Sequence, residues 1–162
     1  MCYCDLDISF ENCCKPIIEK LSKAETATSL MRSRYTAYAT KDAQYILETY
    51  HSSTRAEHTV ADLKAWAEQT HWLRLVVNKS TSLTLAEADT TSSEQVHFTA
   101  TYLHDGRLYQ MSELSSFQIE DDEWRYVDGE DIEHLSLGRV KSNDTCPCLS
   151  GKKFKKCCQR LR

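Results

Sequence analysis

Only four glycines and two prolines interrupt the 162 residues, which excludes collagen-like and proline-rich disordered classes. No apolar run approaches the roughly 18 residues that would cross a bilayer. The N-terminal stretch has no basic segment followed by an apolar one, so no secretory leader is expected, and the compartment the sequence points to is the cytoplasm. The motifs G-x-x-x-x-G-K-[ST], G-x-G-x-x-G and H-E-x-x-H are missing, as is a Ser-His-Asp order. Nucleotide hydrolysis and zinc-protease chemistry are therefore unsupported. What is present, 41% apolar and 27% charged residues, fits one soluble domain with small appendages.

The cysteines are the informative residues. Cys146-Pro147-Cys148 and Cys157-Cys158 form a C-x-C-x₈-C-C array, and Cys2-Tyr3-Cys4 with Cys13-Cys14 repeats the same spacing, so two arrays account for all eight cysteines. Four thiolates on a short loop supply the closed tetrahedral shell that zinc takes in structural sites. Pro147 stiffens the first turn and Gly151 lets the chain double back. In a reducing compartment this spacing reads as metal knuckles rather than disulfides. Zinc is the expected ion, with iron as the other metal suited to four thiolates. The N-terminal copy differs inside, with Tyr3, Asp5 and Asp7 and none of the lysines of the other.

Charge is unevenly spread. From Arg139 to Arg162 eight basic residues face one acid, Asp144, a balance of +7, so the rest of a chain with net charge −4 carries −11. An acidic body with a basic tail is expected to present Lys152, Lys153, Lys155 and Lys156 either to solvent or to an acidic partner, a protein surface or ribosomal RNA. Nothing points to DNA or a membrane. A second copy of the chain, paired through a sheet, is the other partner expected.

The chain in order predicts an α+β fold. A helical connector over 17–23 follows Pro16. Met31, Tyr35 and Tyr38 lie at helical spacing, Asp42 caps a helix over 43–50, and Thr59 with Asp62 starts another that carries Leu63, Trp66 and Ala67. From Trp72 the period becomes two: Leu73, Leu75 and Val77 alternate, then Val96, Phe98, Ala100 and Tyr102. Asp105-Gly106 marks a hairpin, a strand follows from Arg107 to Ile119, and the last strand is 124–127. Three helices thus pack on an antiparallel meander. The stretch 131–143 has no firm period and reads as a linker.

Cys146-Pro-Cys-Leu-Ser-Gly-Lys-Lys-Phe-Lys-Lys-Cys-Cys158 resembles the SEC-C motif, the metal-binding tail of the translocation ATPase SecA and of many uncharacterised proteins. It departs from that pattern at Leu149, where the family usually has glycine. The whole chain resembles the uncharacterised bacterial YchJ-like family. Its cysteine arrays at both ends, Leu30-Met31-Arg32-Ser33-Arg34-Tyr35, Thr49-Tyr50-His51 and Trp124-Arg125-Tyr126-Val127-Asp128-Gly129 carry that likeness. The resemblance implies a degenerate SEC-C-like knuckle at 1–16, a nuclear-transport-factor-2-like domain at 24–130 and a SEC-C motif at 144–162. It also implies that the curved sheet and helices form a cone with a cavity.

Strand alternation puts Glu113 and Ser115 on the face of Tyr109, Met111, Phe117 and Ile119. A carboxylate there is partly desolvated, as a general acid or base needs to be, or else pairs with Arg32 or Arg34, or turns outward at a bend. Arg32, Arg34 and Tyr35 are pocket candidates on one helix; Arg32 and Tyr35, at i and i+3, share a side and could hold an anion through a guanidinium fork and a phenol, unless the arginine caps an acidic surface. His51 is a candidate base or the C-terminal cap of the preceding helix. Trp124, Tyr126 and Asp128 share one strand face and are candidates for the pocket wall. Three functions remain open at this point: a non-enzymatic binding or adaptor module with a docking tail, a small-molecule enzyme of isomerase or hydratase type using Glu113 or His51, and a thiol or metal-handling protein.

Overall fold

The computed structural model describes residues 1–80 and 83–160. After the first cysteine array, α1 (Lys15–Ile18) is a single turn, shorter than the connector expected over 17–23. The main helix, α2 (Ala27–Thr40), begins with a reciprocal cap: Ser29 N–H donates to the Thr26 hydroxyl at 3.1 Å, and Thr26 N–H to the Ser29 hydroxyl at 3.0 Å. Two donors that a helix start leaves orphaned are thereby satisfied. Asp42 caps α3 (Ala43–Glu48) by accepting from Tyr45 N–H at 3.0 Å, and Thr59 caps α5 (Val60–Gln69) by accepting from Asp62 N–H at 3.1 Å. Between them lies a one-turn helix, α4 (Ser52–Arg55), whose N-cap is His51. His51 thus starts the element after it rather than ending the one before.

Four antiparallel strands follow in the order of the chain, β1 (Thr70–Ser80), β2 (Ser93–His104), β3 (Arg107–Glu120) and β4 (Glu123–Arg139). Both tight turns have two residues of positive φ, Asp105 and Gly106 in one, Asp121 and Asp122 in the other. Such turns match the right-handed twist of a hairpin. The central pair β2–β3 keeps unbroken register from Ser93↔Gln118 to His104↔Arg107. The outer strands do not. β1 carries an extra residue at Leu73 and at Asn78, and β4 at Val127, Ile132 and Leu137. Each bulge bends its strand and adds twist, so a straight centre with bulged flanks curves the sheet around α2.

The bulges also correct the sequence reading of 131–143. That stretch is β4 as far as Arg139, a strand of 17 residues. An extra residue at Ile132 and Leu137 resets the alternation every few positions, so period two is invisible and both side chains are left half-exposed.

One buried cluster joins α2 (Leu30, Met31, Tyr35) to the sheet (Leu75, Val96, Ala100, Phe117, Trp124) and takes in Cys2, Cys4 and Cys14. A second packs α2 on α3 and α5 through Ala37, Ile46 and Leu63. The third is small, with Leu103, Phe154, Cys146 and Cys158.

Candidate metal centres and the central cavity

The two cysteine arrays fold alike. In each, the residue after the second cysteine lies in the left-handed region, Asp5 at φ 63° and Leu149 at φ 61°. Its N–H returns to the first cysteine's carbonyl, Asp5 to Cys2 at 3.2 Å and Leu149 to Cys146 at 3.1 Å. A short 3₁₀ turn then leads into the cysteine pair, and Cys13 N–H donates to Phe10 O at 3.2 Å as Cys157 N–H does to Phe154 O at 3.0 Å. The repeat in spacing is a repeat in backbone geometry.

In both clusters the four sulfurs lie within 4.8 Å of one another. Four sulfurs bound at about 2.3 Å to a tetrahedral ion stand about 3.8 Å apart. The Cys4–Cys13 and Cys13–Cys14 separations are 3.6 and 3.9 Å, and those of Cys148–Cys157 and Cys157–Cys158 are 3.5 and 3.9 Å. Both clusters could therefore hold a metal ion. The thiols ionise unequally when left to share protons. A hydrogen bond with Cys14 holds Cys4 down at about 5 against the opposing effect of burial, while burial and the Cys4 sulfur push Cys13 up to about 12. Cys14 is driven higher still, by Cys4 and by burial. In the second cluster burial raises Cys148, but bonds from Ser150 and the neighbouring thiols outweigh it and hold it at about 6, and burial raises Cys146 and Cys158. A full set of four thiolates needs a cation to compensate it.

The surroundings of the two differ. The N-terminal knuckle is tied to the body: Arg32 donates to Cys4 O at 2.7 Å, and Asp5 Oδ2 accepts from Leu75 N–H of edge strand β1 at 2.7 Å. Asp5 had no visible role in the sequence because its partner is 70 residues away. The C-terminal knuckle rests on the far end of the sheet through Phe154 and Leu103 and leaves Lys152, Lys153, Lys155 and Lys156 exposed. Among the described residues none of these lysines pairs with a carboxylate.

Between α2 and the concave sheet lies a cavity of about 130 Å³, lined by Met31, Arg34, Tyr35, Tyr38, Tyr50, Trp66, Trp72, Phe98, Met111, Glu113, Ser115 and Tyr126. Glu113 Oε1 accepts from the Ser115 hydroxyl at 2.6 Å and from the Tyr126 hydroxyl at 3.1 Å. A Cβ at Gly129 would collide with that carboxylate and approach the Tyr126 hydroxyl at 2.7 Å, so the carboxylate keeps this position only beside a glycine. The Arg34 guanidinium lies over the rings of Tyr50 and Tyr126, 4.4 and 4.3 Å from their centroids, and donates to Ile46 O at 2.8 Å and the Thr49 hydroxyl at 2.6 Å. Burial pushes the Tyr35, Tyr38 and Tyr126 phenols up, so all three stay protonated.

Of the candidate residues, Glu113, Ser115, Arg34, Tyr35 and Tyr126 meet at this cavity. Arg32 does not, being spent on the N-terminal knuckle, and no ion pair joins Glu113 to either arginine among the described residues. Trp124 is core and lines a separate groove beside α1 and α3. Asp128 is exposed: the bulge at Val127 puts Tyr126 opposite Phe117 but Asp128 opposite Ser116, on the other face. His51 lies outside the cavity, its Nδ1 bonded to Ser53 and its Nε2 3.7 Å from Glu120. The remaining aromatic wall, Trp66, Trp72 and Phe98, carries only a core signal in the sequence.

A family model described as the YchJ middle domain, nuclear-transport-factor-2-like, matches residues 26–129, and one for the SEC-C motif matches 143–160. A UPF0225 protein of Vibrio cholerae is 35% identical over 157 residues, covering 97% of this chain and 98% of its own length. Another from Geobacter sulfurreducens is 37% identical over 161 residues, covering 98% and 97%. Two solved structures are similar, both of SEC-C motif containing proteins. The one from Rhodopseudomonas palustris has a TM-score of 0.71 at 30% identity and covers 82% of this chain and 98% of its own. The one from Psychrobacter arcticus has a TM-score of 0.66 at 27% identity and covers 98% and 89%. Full-length likeness, a matched central domain and a matched C-terminal motif together place the chain in the UPF0225, YchJ-like family of SEC-C motif proteins.

Proposed function

We propose that this chain is a zinc-stabilised binding module whose C-terminal knuckle docks a polyanionic surface, of ribosomal RNA or of an acidic protein. The observation that carries the reading is the knuckle's division into a packed inside and a charged outside. Cys146, Phe154 and Cys158 are buried against the sheet, while four lysines in a span of five residues stand exposed without a carboxylate partner among the described residues. A zinc held by four thiolates adds a local charge of −2, which the lysines overcompensate. Cys146, Cys148, Cys157 and Cys158 would hold one ion, and Cys2, Cys4, Cys13 and Cys14 a second. What zinc supplies in such a closed shell is a cross-link that folds the loop. With all four positions taken by sulfur no open coordination site remains, which favours a structural role over metal handling.

Exposed lysines act as point charges on phosphates or carboxylates, and the knuckle exposes no aromatic ring for base stacking. Binding should therefore be insensitive to nucleotide sequence and strongly dependent on salt. If RNA is the partner and four phosphates are neutralised, log K falls with log salt with a slope of about −3 to −4. The test is capture of partners from lysate at low and high salt, by the parent chain and by a variant with all four lysines changed to glutamate, with zinc content measured in both. Salt-sensitive capture of ribosomes or of one acidic protein, lost in the variant at unchanged zinc content, is expected. Equal capture by both chains refutes the docking role.

A further inference from the structure

The central cavity holds two opposite charges that do not pair with each other. Arg34 lies over Tyr50 and Tyr126, two rings that meet edge-to-face on the same side of it, and donates through one nitrogen to Ile46 O and Thr49. Glu113 is committed through one oxygen only: Oε1 takes the Ser115 and Tyr126 hydroxyls, and Oε2 takes no protein donor among the described residues. Gly129 gives the carboxylate its room. An oxygen anchored twice beside one without a protein donor leaves an acceptor open on a residue of the cavity lining.

The guest's charge follows from the lining. One guanidinium and one carboxylate already balance, so an added ion would leave a net charge in a partly desolvated space, whereas a neutral molecule would not. Its size follows from the volume: about 130 Å³ is slightly less than the about 150 Å³ that accommodates benzene in an apolar cavity. The walls are aromatic rings and two thioethers, including Trp72, Phe98 and Met111, which suit offset or edge contact with another ring. Trp66, the one exposed residue of the lining, marks the open side.

We propose that this cavity is a binding site for a neutral single-ring molecule bearing one hydroxyl or N–H donor, with Glu113 Oε2 as the acceptor. Tyr38, on the same lining beside Arg34 and Glu113, supplies a donor for the guest's own oxygen. The site stands apart from the docking surface, so either assignment can fail alone.

Phenol is the probe, with benzene, benzoate and benzylammonium as comparisons, titrated into the full zinc-loaded chain and followed by amide shifts in NMR and by tryptophan emission. Saturable one-to-one binding of phenol is expected, about tenfold or more tighter than benzene, because a hydrogen bond to a charged acceptor is lost with the hydroxyl. The two ions should bind more weakly than phenol. Glu113→Gln should shrink the preference for phenol over benzene while leaving benzene affinity unchanged, which also shows that the cavity is intact. The proposal is overturned if benzene equals phenol, if either ion is preferred, if no probe saturates, or if the variant keeps the full preference. Should Glu113→Gln not fold, the ranking of the four probes on the unaltered chain decides.

Discussion

Replacing Leu149 by glycine should tighten the C-terminal metal site. Leu149 has φ 61°, where a residue with a Cβ pays about 1–2 kcal/mol. Its side chain is 69% exposed, so little packing is lost on truncation. Glycine takes back about 0.4–1 kcal/mol through its greater freedom in the unfolded loop. The net gain is about 0.5–1 kcal/mol, and if the loop folds with its metal, as closed four-thiolate sites do, it should emerge as roughly two- to fivefold tighter zinc binding. Competition with a chelator, resolved by NMR of the knuckle amides, reads this at each site separately. The duplicated fold supplies the control. Asp5 occupies the equivalent position at φ 63°, but an aspartate tolerates that region better, and its Oδ2 accepts from Leu75 N–H at 2.7 Å. Asp5→Gly should therefore loosen the N-terminal site, by about 1 kcal/mol once the charge-assisted bond is discounted for exposure. If Leu149→Gly weakens its site, or Asp5→Gly strengthens the other, the account of the two turns is wrong.

The metal sites should also differ in what they support. Cys14 is in the main core cluster and Cys158 in the small one, so Cys14→Ser should cost at least about 2 kcal/mol and lower Tm by about 4 °C or more, beyond the effect of Cys158→Ser; differential scanning calorimetry compares them. Arg34→Lys should destabilise by about 2–3 kcal/mol, since an ammonium cannot lie flat over the edge-to-face pair of Tyr50 and Tyr126 and also reach Ile46 O and Thr49, and urea unfolding measures the loss. Burial pushes Glu120 up, but hydrogen bonds from Ser52 and the charges of His51 and Arg55 outweigh it and hold the carboxyl below its ordinary range. A depressed folded pKa adds stability above the unfolded value and loses it as pH falls through the folded one. Glu120→Gln should therefore cost under about 1 kcal/mol at neutral pH, and parent and variant should converge as pH falls through the depressed folded pKa, on the acid side of the ordinary glutamate value, as read by denaturant midpoints at each pH.

Local signals account for what the sequence revealed. Each cysteine array spans little more than a dozen residues, the caps at Asp42 and Thr59 act within three residues, and Asp105-Gly106 joins two strands whose register never slips. Apart from the short helix that His51 starts and the shortened α1, what was misjudged depended on distant partners or on a broken period. The alternation of β4 is reset at Val127, Ile132 and Leu137, which hid the strand beyond residue 130 and put Asp128 on the wrong face. Arg32 and Arg34 look equivalent in the sequence, but the first is claimed by Cys4 O, 28 residues back, and the second by Thr49, Tyr50 and Tyr126. No rule of spacing separates two arginines whose partners lie on other elements.

The same bulges that obscured β4 are what make the cavity. A sheet of four strands in perfect alternation would twist but stay open, and α2 would pack flat on it. Extra residues on both flanking strands and none between β2 and β3 bend and twist the edges against a straight centre, and the cavity lies above Met111, Glu113 and Ser115 on the regular strand. The N-terminal knuckle then closes part of the β1 edge, since Asp5 takes the N–H of Leu75, an edge donor that would otherwise invite another strand. Zinc in that knuckle would thus hold the rim of the curved sheet, and zinc in the other would hold the lysines clear of it. On this reading the two ions serve different ends: loss of the first should loosen the cavity, and loss of the second should abolish docking while the cavity stays intact.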